Sequence, residues 1–128
     1  MYMKILVIEP NKKPYVKEID GSHESIKKIV ENPMEIICPF LDAPSICLAS
    51  DAFGKLKSLK FNRALTTKTG DVSDVIAGTF VLFNTPVIGD GIIDLTSKQI
   101  QTYTKRFEKT DTIVYDLNRK HNLNPAYN

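Results

Sequence analysis

A chain of 128 residues, 42% hydrophobic and 25% charged, has the makeup of one folded domain, which excludes a disordered or fibrous protein. Its formal net charge of +2 is too small to make nucleic acid or an anionic membrane the default partner. No apolar run approaches the roughly 20 residues of a membrane span, and MYMKILVIEPN turns polar too soon for a signal peptide, so the sequence predicts a cytoplasmic protein.

Residues 3–8 form a continuous apolar run, the pattern of a strand buried on both faces. EPNKKP is turn chemistry, and residues 15–19 alternate loosely, which predicts a hairpin. Ser22 is placed to cap a helix whose Ile26, Ile29 and Val30 share one face, and Asn32-Pro33 stops it. Residues 34–38 and 45–49 are β-type runs around PFLDAP, a second hairpin. Cys38 and Cys47 sit in these runs and read as buried reduced thiols; a cross-strand disulfide is the alternative if the two strands bring them face to face.

Leu56, Leu59 and Phe61 read as anchors of a less regular segment. VIAGTFVLF, residues 75–83, reads as one strong strand in which Gly78 marks a bulge or a close backbone approach. Val87, Ile88, Ile92 and Ile93 crowd an apparent loop. They predict a homo-oligomer that covers them, with folding back onto the chain's own core as the competing reading. Thr96 and Gln99 make a capping box, Leu95 and Ile100 a hydrophobic staple, and Ile100, Tyr103 and Phe107 share a helix face. From about residue 111 the sequence suggests a tail appended as an arm, with a short strand at Ile113-Val114-Tyr115 and last residues, NRKHNLNPAYN, ordered only by a neighbour. The sum is a single α+β domain over residues 1–128: a mainly antiparallel sheet of about five strands with two helices packed on one face.

Charge is unevenly spread. Lys55, Lys57, Lys60, Arg63 and Lys68 fall in a stretch without acids, and Asp71, Asp74, Asp90 and Asp94 in one without bases. The two blocks either neutralise each other or leave an electropositive patch for a phosphate or an acidic protein surface. Arg63 stands out because its planar fork grips such groups bidentately. Nothing else amounts to a site. TGDVSD and GDG are not phosphate loops, and Asp90, Gly91 and Asp94 lack a calcium ligand series. His23 and His121 have no ligand partner at metal spacing, and the tyrosines, Tyr127 included, have no basic interleaving for stacking bases. The sequence therefore predicts no metal, no cofactor and no catalytic set.

MKILVIEPNKKPYVKEID, LKFNRAL, DVIAGTF and the LTSKQIQTYTKRF helix together resemble a small domain-of-unknown-function family carried by phages, plasmids and conjugative elements. The resemblance implies a mobile-element accessory protein acting in the host-cell cytoplasm. It carries over four residues: Asn62 and Arg63, and Gly78 and Thr79. The functional reading has Arg63 presenting its fork to an anion and Asn62 orienting it. Thr79 and the bare Gly78 backbone complete the wall, and Lys60 adds charge beside them. The structural reading has Asn62 capping a turn and Arg63 pairing with Asp71 or Asp74. Two functions fit best: sequestration of a small anionic, nucleotide-derived ligand such as a host-defence signal, or inhibition of a host defence protein by direct contact.

Overall fold

The computed structural model describes residues 2–31, 33–89 and 91–123, the last three without their side chains. Asn32, Asp90 and Tyr127, and the side chain of His121, thus lie outside the described residues. Five strands form one antiparallel sheet: β1 (Met3–Ile8), β2 (Tyr15–Ile19), β3 (Met34–Ile37), β4 (Ile46–Asp51) and β7 (Phe80–Asn84), in the order β2-β1-β7-β4-β3. Two more, β5 (Phe61–Thr66) and β6 (Val72–Ala77), pair as a separate hairpin. Among the described residues three helices complete the fold: α1 (His23–Val30), α2 (Ser97–Arg106) and α3 (Thr112–Leu123). The α+β class and the antiparallel five-stranded sheet agree with the sequence.

Alternate residues of a strand face opposite sides of a sheet, and here both sides are apolar. Ile5 and Val7 join Val81, Phe83 and Ala49 under α1, which contributes Ile26 and Val30. Leu6 and Ile8 join Leu48, Phe80 and Leu82 on the other side, under Tyr103 of α2 and Phe107. The two predicted helices therefore lie on opposite faces, not on one. Leu65 and Ile76 place the β5–β6 hairpin on the α2 side. The continuous apolar run of β1 is explained: it is covered twice.

Local signals hold where they are strongest. Ser22 caps α1, accepting from Ser25 N at 3.2 Å. Thr96 and Gln99 exchange both capping-box bonds, at 3.1 and 2.8 Å. Leu95 and Ile100 pack in the same cluster.

Three expectations fail for physical reasons. Residues 75–83 are two strands of different sheets, because the chain turns a corner at Gly78 (φ +84°). A Cβ there would sit 2.7 Å from Leu59 Cδ1, so the close approach holds although the continuous strand does not. Leu56 is 83% exposed and anchors nothing. Ile113–Tyr115 is the start of a helix, whose fully buried Val114 docks it. That helix shields the edge of β5: Asn118 accepts from Phe61 N and donates to Phe61 O, both at 2.9 Å, replacing a strand neighbour. The loop of apolar residues divides. Ile92 folds into the core beneath α1, whereas Val87 and Ile88 stay 98% and 89% exposed.

Candidate functional site

The pairing of β5 with β6 shifts between Phe61 and Arg63, a bulge at Asn62. A bulge breaks the in-out alternation of a strand, and here it lets two successive polar side chains turn inward. Asn62 and Arg63 are both buried, Arg63 to 1% exposure. Asn62 Nδ2 donates to Ile8 O at 2.8 Å and to Gly78 O at 2.9 Å. Its Oδ1 accepts from Arg63 Nη1 at 2.8 Å. Arg63 Nη1 also donates to Asn62 O (3.0 Å), Nε to Phe107 O (2.9 Å) and Nη2 to Lys12 O (2.7 Å). Two adjacent side chains thus join β1, the β1–β2 turn, the β6–β7 corner and the end of α2.

Phe107 is the C-cap of α2, so the guanidinium sits where a helix dipole favours a cation. Among the described residues no carboxylate lies within ion-pair distance of it. Burial pushes the Arg63 pKa below its usual value, with Asp111 and Tyr115 acting in the opposite direction. Asp111 itself accepts from Ala64 N at 2.7 Å.

The five residues singled out in the sequence are mostly brought together, but as framework. Lys60 is exposed, and its carbonyl accepts from Gly78 N at 2.7 Å. Gly78 is buried and Thr79 half-buried. The expected structural pairings do not form: Asp74 holds Lys55 at 2.8 Å, Asp71 accepts from the Thr69 hydroxyl at 2.9 Å, and Asn62 caps no turn. The Lys55–Asp74 contact does join the basic and acidic blocks.

Of the five, Arg63 lines a cleft among the described residues. Its space is about 410 Å³, bounded by Asn11, Lys12 and Lys13 of the β1–β2 turn, by Glu108, Lys109 and Thr110 after α2, and by Tyr115 of α3. A guanidinium carries five N–H donors, and the four bonds above leave at least one of them over. Asn62, Gly78, Thr79 and Lys60 are behind or away from this wall. Sequence reasoning missed Lys12, Lys13, Lys109 and Tyr115. The doubled lysine of EPNKKP was the available signal, read only as turn chemistry. A second cleft of about 470 Å³ lies between Pro39–Asp42, Thr66–Lys68, Ser73 and Arg106, where the Arg106 guanidinium stands 4.7 Å above the Phe40 ring. Among the described residues no three His, Cys, Asp or Glu are grouped to hold a metal ion. No described helix is long and apolar enough to cross a membrane.

The family model for a domain of unknown function, DUF3846, matches residues 3–108. The chain belongs to the DUF3846 family. The DUF3846 match takes in β1 through α2, and with them the whole Asn62–Arg63 lock. It ends just before Lys109 and Thr110, so one wall of the Arg63 cleft, Tyr115 included, follows the DUF3846 region. No curated protein and no solved structure matches the chain.

Proposed function

We propose that this DUF3846 protein binds and sequesters a small anionic, nucleotide-derived ligand in the cleft over Arg63, without transforming it. One observation carries the reading: Arg63, at 1% exposure and with no carboxylate in ion-pair contact among the described residues, floors a cleft whose rim bears Lys12, Lys13 and Lys109. Burying a cation is costly; Asp111 offsets that cost only in part, and an anion in the cleft offsets more of it. Among the described residues, Glu108 is the one acid lining the space. The volume suits a nucleotide-sized ligand, and Tyr115 gives the cleft an aromatic wall. The resemblance to domains of phages and plasmids suits capture of a host-defence signal by such an accessory protein in the host cytoplasm.

The reading is tested by thermal shift against cyclic and linear nucleotides, with inorganic phosphate as reference. Ligand stabilisation follows RT ln(1 + [L]/Kd), so a nucleotide at about a hundred times its Kd adds about 2.7 kcal/mol. The expected result is such a shift, weakened by salt. No shift with any nucleotide overturns the proposal.

A second reading, a protein-protein inhibitor, adaptor or homo-oligomer, has one specific observation in its favour. Thr85 N donates to Ser45 O at 2.9 Å, which holds the β7–α2 loop beside the β3–β4 loop. Val87, Ile88 and Leu41, all at least 88% exposed, therefore belong to two adjoining loops at one end of the sheet. A neighbouring protein surface is the natural cover for them.

A further inference from the structure

Cys38 follows directly on β3, and Cys47 lies in β4. The register of that pair, Ile36 opposite Ala49 and Ile37 opposite Leu48, continues to Cys38 opposite Cys47. Directly opposed antiparallel residues have Cα atoms about 4.5–5.5 Å apart, within the span of about 4.4–6.8 Å that a disulfide tolerates. The two sulfurs are 2.8 Å apart and both thiols are free. The bonded distance is about 2.0 Å, so closure asks for a side-chain adjustment and no backbone movement.

The two thiols differ in access. Cys38 is exposed and Cys47 is buried. Burial, then contact with Cys38, raise the Cys47 thiol to about 11, against a smaller opposing effect of Thr85. An oxidant in solution therefore meets Cys38 first, and Cys47 is held within reach to complete the exchange.

We propose that Cys38 and Cys47 are a modification site, a dithiol that closes reversibly to a disulfide with low-molecular-weight disulfides of the glutathione type. The Cys38 thiolate attacks one sulfur of glutathione disulfide; the Cys38–glutathione bond forms, the glutathione S–S bond breaks, and one glutathione leaves as thiolate. Cys47 gives its proton to water and attacks Cys38 Sγ, forming the protein disulfide and releasing the second glutathione. The two cysteines together lose two electrons and two protons, and glutathione disulfide is reduced to two thiols. Excess thiol reverses both steps.

Closure has a structural consequence. The bond ties the two ends of the β3–β4 loop, which carries Phe40. The Phe40 ring packs 4.8 Å from Tyr103 and under Arg106, and the loop forms one wall of the cleft of about 470 Å³. The disulfide restrains that wall and pins edge strand β3 to β4.

The test is incubation of the full chain with glutathione disulfide, followed by acid quench, intact mass and maleimide counting under denaturing conditions. The expected product is a monomer lighter by two hydrogens with no thiol left to label. Cys47→Ser is expected to stop at a glutathione adduct on Cys38, and Cys38→Ser to take up glutathione at least ten times more slowly. Amide hydrogen exchange across residues 39–46 is expected to slow on oxidation. Retention of both thiols in the wild type, a persistent glutathione adduct, or a disulfide between two chains would each overturn the pair. Equal adduct rates in the two serine variants would overturn the order of attack, and unchanged exchange the restraint.

Discussion

Arg63 Nε donates to the Phe107 carbonyl at 2.9 Å, joining the bulged strand β5 to the last turn of α2 across the middle of the fold. The same guanidinium reaches Lys12 O and forms the floor of the cleft. Arg63 is thus part of the framework and lines the cleft at once. Arg63→Lys keeps the charge but cannot span carbonyls on three segments. It is expected to destabilise the protein by about 2–4 kcal/mol, because buried acceptors lose their donors. Urea denaturation checks this, and a variant as stable as wild type would show that the lock is dispensable.

Gly78 combines two costs that are separable. Its φ of +84° penalises any side chain, and a Cβ there meets Leu59 Cδ1 at 2.7 Å. Gly78→Ala is expected to cost about 2–4 kcal/mol in the wild type, but only the left-handed backbone share of about 1–2 kcal/mol in a Leu59→Ala background. Equal costs in both backgrounds would leave the clash without effect. A double-mutant cycle from denaturation curves gives the answer.

Asn118 stands in for a strand, bonding Phe61 N and O from α3. Asn118→Ala leaves both edge groups of a half-buried residue without that partner, with an expected loss of about 1–2 kcal/mol. Faster amide exchange at Phe61 is the local readout. Unchanged exchange there would mean that water satisfies the edge equally well.

Asp20 supplies the clearest pH dependence. It accepts bonds from Ser22 N and from the hydroxyls of Ser22 and Ser25, and these hold its carboxyl down at about 2. The depressed folded pKa means that its contribution is complete above the unfolded value of about 3.9 and is lost as pH falls toward 2. Asp20→Asn is expected to flatten the acid end of the stability profile between about pH 4 and 2 and to leave its shape at neutral pH unchanged. An identical acid limb in the variant would remove Asp20 as a source of that dependence.

What the sequence made legible was local. The first two hairpins, α1 and the capping box of α2 each depend on residues a few positions apart, and all stand. Sheet membership is not local. Nothing in VIAGTFVLF reveals that Ala77 ends one sheet and Phe80 begins another, or that α1 and α2 take opposite faces of a sheet apolar on both. Ile113-Val114-Tyr115 looks like a strand by composition, and only Val114, fully buried, and Asn118, four residues on and bonded to Phe61 of β5, mark the helix. The Asn62–Arg63 pair stands out in the sequence as two polar residues between apolar neighbours. Its burial was not legible, because it depends on the bulge and on carbonyls of Ile8, Lys12 and Phe107, far away in the chain. The cleft's lysines come from two separate turns, and the fold alone brings them together.

The exposed ends of Val87 and Ile88 predict concentration-dependent association. Light scattering at high protein concentration is expected to show a mass above that of one chain, which Val87→Ser with Ile88→Ser returns to one. A wild type that stays monomeric throughout would leave these side chains as ordinary loop residues.

An NMR titration with adenosine monophosphate reads out, residue by residue, the proposed seat of an anion over Arg63 between Lys13 and Lys109. The expected result is saturable shifts at the Arg63 Nε–H and at the amides of Lys12, Lys13, Lys109 and Thr110. Lys13→Glu with Lys109→Glu is expected to melt within about 0.5 kcal/mol of wild type and to lose at least tenfold in affinity, about 1.4 kcal/mol. Shifts confined to other residues, or full affinity in the doubly reversed protein, would contradict the account.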